Sequence, residues 1–589
     1  MLKKHYTLLL AVTLFTAACS GPGKQTASGN DNTDSLHRLV QHYYDEKMEY
    51  FPMDATMNGE HQYDDLLQID ISDRFRLKLD SFYTRYQQAL QGIDTAALND
   101  NDLISYAMLS REVAVGKEGL RFPDNLMPIQ QFWGLTLTLP QYGSGTSAQP
   151  FKNKADYEKF MQRMKSFAEW SDTAIANMRR GMSLGYVLPK ALAAKVVPQL
   201  ADLSKKDTNN VFYTPLRLLP ADLDSTDKRT LHDAYTAAIE QYVLPSYAKL
   251  HDFFAKEYLP AARSSSGINS LPNGKEWYAY LIRSWTTTQL TPDEIFSTGE
   301  KEVARIRSEM DAVKNSTGFT GDLPAFFRFI RTDKQFRIFT TPSQVLDSFR
   351  AIEQKIMPAV KQLYGRLPKT KFEVRQTEAF RAASASAEYM QGSADGSRPG
   401  TFYVPILDAA EFNYTGMESL FLHEAIPGHH FQISIQQEND SLPKFRRFNW
   451  IGSYGEGYAL YCESLGKDLG IYTNPYSYFG HLSDEIHRAI RLVVDVGLHS
   501  RGWTREQAIK YMMDNEPLSE PEAVAEIERY MAIPGQALSY KIGELKIREL
   551  RDKYRQQTGF SMKDFHDELL KDGCVPLSVL EEKMARRFK

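Results

Sequence analysis

Eleven residues, Phe421-Leu-His-Glu-Ala-Ile-Pro-Gly-His-His-Phe431, constrain this chain more than any other stretch. They place His423, Glu424, His429 and His430 close together, directly after the apolar run Leu420-Phe421-Leu422. Neutral imidazole and carboxylate are ligands for a first-row divalent metal, and a nearby carboxylate can act as base on a metal-bound water. Two histidines one helical turn apart would share such an ion, but the position one turn after His423 is Pro427. Pro427 has no N–H to donate to the carbonyl of His423, and it biases Ile426 away from helical geometry. Gly428 tolerates the dihedrals that a kink needs. On an unbroken helix His429 lies about 120° off the His423 face, and His430 returns to that face roughly 10 Å further along the axis. Neither suits two metal–nitrogen bonds of about 2.0–2.1 Å, so the Pro-Gly insertion must supply a distortion. The motif therefore reads as an H-E-x-x-H helix with a bulge; the competing reading is a helix end carrying two cap histidines.

A third ligand comes from Ser453-Tyr-Gly-Glu-Gly-Tyr-Ala-Leu-Tyr-Cys-Glu463. Glu456 and Glu463 are seven apart, hence on one helix face two turns apart, so one could bind metal while the other orients a histidine. Their apolar and aromatic neighbours Tyr454, Tyr458, Leu460 and Tyr461 argue against a solvated surface helix, because charged groups are seldom buried without a partner. Glu456-Gly-Tyr-Ala resembles the N-E-G-F-A segment of gluzincin aminopeptidases, whose Glu is the third zinc ligand.

The blocks Leu290-Thr-Pro-Asp-Glu-Ile-Phe296, Arg398-Pro-Gly-Thr-Phe-Tyr-Val404, His423–His430, Glu456–Tyr461, Arg491–His499 and Pro534–Glu544 occur in that order. On these the chain resembles the domain-of-unknown-function 885 family, a bacterial group placed among zincin-like metallopeptidases. The resemblance runs from about residue 270 to the end and is weaker upstream. It implies a mainly α, large helical zincin-like fold with a small β-sheet next to the metal helix. It does not imply a substrate.

The start of the chain points to its address. Met1-Leu-Lys-Lys, an apolar run from Leu8 to Phe15 and Thr16-Ala-Ala-Cys19 read as a lipoprotein signal peptide over residues 1–18, with Cys19 the lipidated residue. Thr16 departs from the aliphatic residue usual at that place. The apolar run is far shorter than the roughly 20 residues that a membrane span requires. Removing residues 1–18 takes away Lys3 and Lys4 and no acid, moving the formal charge from −4 to −6. That argues against a nucleic-acid binder, which needs a broad basic surface. Beyond Cys19 only Cys462 and Cys574 remain, too few for a disulfide framework, and Cys462 reads as a small buried packing residue.

Residues 19–34 are mostly small and polar and read as a flexible tether. From 35 to 263 the chain reads as a helical N-terminal region, with amphipathic stretches at Leu36–Tyr44, Arg74–Leu90, Asp156–Gly181 and Thr230–Phe254. Ser264–Gly274 is the candidate boundary before a catalytic region at 275–589. Thr291-Pro-Asp-Glu predicts a capped helix with Thr291 as N-cap, and strands are expected at Lys371–Thr377 and Gly400–Pro405.

Glu485, Arg488, Arg491, Asp495 and His499 share one stripe of an otherwise apolar helix. Either they form a solvated ladder, or Asp495 orients His499 while Arg491 or His499 faces a catalytic pocket. Tyr540 approaches from a later block and could stabilise a tetrahedral oxyanion.

The expected function is a zinc-dependent hydrolase, a peptidase acting on a peptide or small amide and anchored to the bacterial cell envelope through Cys19. One Zn2+ is assigned to His423, His429 and Glu456. Glu424 is the general base, Tyr540 and His499 are further catalytic residues, and Arg491, His430 and Tyr403 contact substrate. His429 is preferred to His430 as the smaller distortion of the motif. The alternatives are a metal-dependent hydrolase of a non-peptide amide or ester, and a non-catalytic binding lipoprotein containing a metal.

Overall fold

The computed structural model describes residues 29–377, 386–392 and 398–588. It is mainly helical with one small three-stranded sheet. The signal peptide and Cys19 lie outside the described residues. The tether reading extends too far, because a helix starts at Gly29 and runs to Tyr50. The Asn32 amide holds its first turns in place by exchanging hydrogen bonds with the backbone of Asp94, at 2.7 and 3.0 Å.

Local signals operate where the sequence placed them. Thr291 caps the helix Pro292–Ser316: its hydroxyl accepts from the Glu294 amide at 3.3 Å, and the Glu294 carboxylate accepts from the Thr291 amide at 2.8 Å. Strands β1 (Phe372–Gln376) and β3 (Gly400–Val404) fall at the two predicted positions. A third strand, β2 (Glu388–Met390), pairs antiparallel with β3, while β1 pairs with it in parallel. β3 is therefore central and β2 forms an edge. Phe372 and Phe402 turn their rings toward Phe421, which seats the sheet on the helix Met417–Glu424.

The core does not divide at Ser264–Gly274. Residues between about 67 and 262, chiefly from the helices Lys154–Leu184, Lys190–Leu203, Ser225–Ala238 and Leu244–Phe253, surround one hydrophobic cluster built on Trp170, Tyr235 and Tyr247. The earlier helices Asp73–Gln91 and Asp100–Gly119 instead join the main core with the C-terminal half. Tyr43 meets Phe445 edge-on, and the buried Arg446 guanidinium donates to the Asn101 carbonyl. The supposed linker is itself packed: the Ile268 amide donates to a ring nitrogen of His499.

The helix Pro475–His499 runs through the middle of the main core, with Leu492, Val493, Val494 and Val496 fully buried. Each such side chain contributes about 1.5–3 kcal/mol of burial free energy, so this helix is a rigid mount for whatever its polar residues hold. Among the described residues, no helix is long and apolar enough to cross a membrane.

Candidate metal centre

The motif folds as two helices. Met417–Glu424 ends where Ala425 leaves helical geometry, and His429–Gln437 begins after Gly428, so a four-residue break replaces the expected bulge. The Ile426–Pro427 peptide is cis. Glycine is required at 428: a Cβ there would meet the carbonyl oxygens of His423 at 2.0 Å and Leu422 at 2.3 Å. The freed carbonyl of Pro427 accepts the Tyr458 hydroxyl at 2.9 Å and lies 3.6 Å from the Cys462 thiol. Both residues belong to the helix Gly452–Glu463, so the break and that helix position each other. Cys462 and Cys574 are buried free thiols.

This folding brings His423, His429 and Glu456 together. One ligand atom from each lies within 4.8 Å of the others. Oε2 of Glu456 is 3.5 Å from Nε2 of His423 and 3.4 Å from Nε2 of His429. Charge-assisted hydrogen bonds are shorter, about 2.7–2.9 Å. Two ligands of a tetrahedral ion with bonds of about 2.0–2.1 Å stand roughly 3.3–3.4 Å apart, close to the separations found.

The tautomer of His423 fits the same picture. Its Nδ1 lies 2.7 Å from Oε1 of Glu463, a carboxylate 1% exposed whose other oxygen accepts the Ser419 hydroxyl at 3.0 Å. With Nδ1 turned to Glu463, His423 presents Nε2 to the Glu456 carboxylate, an orientation in which either a proton or a metal ion can occupy the space between them. The electrostatics show how tightly these groups are coupled. Burial alone would lower the His423 pKa, but the carboxylates of Glu456 and Glu463 hold it at about 10. Burial would raise Glu456, yet the two imidazoles hold it well below the carboxylate range. Burial pushes Glu424 up, against the pull of His423 and His429.

A cavity of about 590 Å³ opens beside the cluster, lined by His423, Glu424, His429 and Glu456. Tyr540 and Arg491 reach the same cavity. The Tyr540 hydroxyl is 3.4 Å from Arg529, and the Arg491 guanidinium lies 4.5 Å over the Tyr540 ring.

Three assigned residues lie elsewhere. His499 is fully buried, accepts the Ile268 amide at Nδ1 and pairs through Nε2 with the Tyr530 carbonyl, both at 3.0 Å. It is two turns beyond Arg491, roughly 12 Å along the helix, which carries it past the cavity into the packing between helices. Asp495 does not orient it; that carboxylate takes the Tyr278 hydroxyl at 2.6 Å and the Gly535 amide at 3.1 Å. His430 points its Nδ1 at the Tyr389 hydroxyl and Ser434, at 3.0 and 3.3 Å, outside both the cluster and the cavity lining. It holds Tyr389, which does line the cavity. Tyr403 sits in β3 between Arg375 and Glu388, one strand back from the cavity wall that β2 forms.

Sequence reasoning missed most of the far wall: Trp450, Glu526, Arg529 and the β2 residues Glu388 and Tyr389, and gave Arg488 no role. Arg488 was visible in the stripe of the long helix. Arg529 and Glu526 carried no motif, only charge on the amphipathic helix Glu520–Ala532.

No curated protein matches the chain. Among solved structures, a "putative lipoprotein" from Colwellia psychrerythraea is similar at 26% identity and TM-score 0.87, covering 95% of this chain and 99% of the other. A "putative lipoprotein of unknown function" from Shewanella oneidensis shares the fold at 20% identity and TM-score 0.72, covering 95% of this chain and 100% of that one. The family model described as "Bacterial protein of unknown function (DUF885)" matches residues 52–584, and the chain belongs to that family.

Proposed function

We propose that this protein is a zinc-dependent hydrolase of peptide or related amide bonds, held at the bacterial envelope by a lipid on Cys19. The observation that carries the reading is the convergence of the His423, His429 and Glu456 ligand atoms beside a cavity that also receives the half-buried Glu424. A structural zinc site closes with four protein ligands, commonly including Cys; three His and Glu side chains facing an open cavity suit a catalytic one. A helical chain with a small sheet seated on the motif helix agrees with zincin-like kinship. A bound zinc would supply Lewis acidity and a water of lowered pKa.

The chain's own residues supply the rest. Glu424 adjoins His423 and projects about 100° round the helix from it, so it stands beside the ligands without being one. Its raised pKa suits a base that takes a proton from water and returns it to a leaving amine. Tyr540, with Arg529 and Arg491 against it, can donate to an oxygen that gains charge in the transition state. The envelope address rests on the Met1–Cys19 pattern and on the description of the solved relatives as lipoproteins.

The decisive experiment pairs metal content with turnover in Glu424→Gln, which keeps shape and hydrogen bonding but removes the proton acceptor. Zinc near one equivalent by mass spectrometry, with hydrolysis of a peptide panel down by about 10²–10⁴-fold, is the expected result. Full activity in this variant removes the mechanism. A wild-type chain that cleaves esters in a parallel panel but no peptide moves the reading to the ester hydrolases.

A further inference from the structure

We infer that the arginine wall of the cavity is a receptor for the free terminal carboxylate of a short peptide, placed one or two residues beyond the bond to be cut. The inference rests on the hydrolase reading for the bond, but not for the carboxylate. Three guanidiniums line the cavity: Arg488 and Arg491 from Pro475–His499, and Arg529 from Glu520–Ala532. Each has a buried nitrogen with no hydrogen-bond partner among the described residues: Nε of Arg488, Nη1 of Arg491 and Nε of Arg529. Arg491 is only 5% exposed. A buried donor left unmade is costly, and a planar fork that donates two parallel bonds is the shape a carboxylate matches.

The acids nearby leave these nitrogens unmet. Glu526 sits between two of the arginines, 3.1 Å from Arg491 and 3.6 Å from Arg529, and also accepts the Tyr530 hydroxyl. Arg488 has Asp484 at 3.3 Å. The cavity's other acids are Glu424 and Glu456, which belong to the metal side, and Glu388 on β2. One wall thus holds Arg491 and Arg529 around the shared Glu526, with Arg488 against Asp484, and a metal-ligand cluster beside it.

Spacing sets where the anion would bind. Arg488 lies 4.0 Å from the same Glu463 oxygen that His423 uses, so it is next to the metal centre. Arg491 is three residues, roughly 4.5 Å along the helix axis, further on. An extended peptide advances about 3.3–3.6 Å per residue, so a carboxylate at Arg491 and Arg529 belongs one or two residues past the bond. Trp450, 46% exposed, lines the cavity and gives a side chain an apolar surface. The substrate class is a short peptide cut close to its C-terminus, which a 590 Å³ cavity accommodates and a long internal segment does not.

The test reads binding rather than turnover. Calorimetry on the full chain, before and after chelation of metal, would compare N-acetyl-phenylalanine with its carboxamide and with the carboxamide of N-acetyl-glutamate. The free acid is expected to bind at least about tenfold more tightly than its amide, with or without metal, as a charged hydrogen-bonded pair warrants. Arg491→Gln or Arg529→Gln should bring that preference below about threefold. Arg529 sits nearer the surface and stands in if the buried Arg491 variant does not fold. Equal binding of acid and amide, a preference that vanishes with the metal, or one that survives both substitutions overturns the inference. So does tighter binding of the glutamate amide, which would make the receptor one for acidic side chains. If the preference holds but no peptide is cleaved, the carboxylate site stands and the hydrolase reading falls.

Discussion

Glu463 and Glu456 lie on one face of one helix, and substituting each by Gln separates a ligand from the residue that orients a ligand. In Glu463→Gln the amide oxygen can still accept from Nδ1 of His423, now at 2.7 Å from Oε1, and the amide nitrogen can donate to Ser419 at the position of Oε2, now 3.0 Å from that hydroxyl. Shape and bonding survive, so the main loss is the charge that makes the imidazole a better ligand. Such changes typically cost 10–100-fold in metal affinity, or about 1.4–2.7 kcal/mol. Arg488 loses a countercharge at 4.0 Å but keeps Asp484 at 3.3 Å, so folding should hold. Glu456→Gln replaces the anionic member of the three-residue cluster with a weak neutral ligand and should drop zinc far below one equivalent. Competition against a chromophoric chelator, with metal content by mass spectrometry, measures both. An emptied site in Glu463→Gln beside a filled one in Glu456→Gln would refute the assignment, and an unchanged affinity in Glu463→Gln would deny any orienting role.

Two further outcomes follow from placements elsewhere. Burial holds the His499 pKa down at about 3, below its unfolded value of about 6.5, so its neutral form contributes stability that is complete above pH 6.5 and lost as pH falls toward 3. His499→Asn should therefore flatten the fall of Tm between pH 6.5 and 5 while hydrolysis per folded molecule stays near wild type at pH 7; an unchanged slope together with lost turnover would return His499 to the site. Cys19→Ser should abolish lipidation and release the chain from the membrane fraction, and a wild-type protein that is soluble with an unmodified N-terminus would exclude the anchor.

The parts of the fold that could be read in the sequence are those governed by neighbours in the chain. The Thr291 cap needs only Glu294 three residues on, and β1 and β3 announce themselves by β-branched and aromatic runs. β2 does not: Glu388-Tyr-Met390 is short, lacks alternation and is a strand only because β3 lies alongside. The arginine wall was hidden for a related reason. Its members come from two separate helices, and only the fold shows that Arg529 shares a cavity with Arg488 while His499, on the same stripe, does not. A stripe sets direction from the helix axis, but position along the axis decides which cavity a side chain meets. The division of the core was likewise a matter of partners: Asp73–Gln91 and Asp100–Gly119 are amphipathic helices like their neighbours, yet they bury their faces against the C-terminal half.

The break at Pro427-Gly428 shows the same limit at closer range. Pro427 lacks the amide that would continue the helix and so favours a kink or a stop there, and the carbonyl contacts of a Cβ at 428 explain why nothing larger than glycine follows. What the chain between His423 and His429 cannot specify by itself is the direction in which the second helix leaves. That is set from outside, where the Tyr458 hydroxyl takes the Pro427 carbonyl from two residues beyond Glu456. The Glu456 helix is held in turn by the close crossing of Gly457 with Gly543, where a Cβ on Gly457 would meet the opposing Cα at 2.5 Å. The glycine after Glu456, which in the sequence looked like part of a ligand motif, thus allows the helix approach that presents the ligand. One helix supplies both the third member of the cluster and the hydroxyl that aligns the second histidine, so the insertion needs no bulge to bring His429, rather than His430, to Glu456.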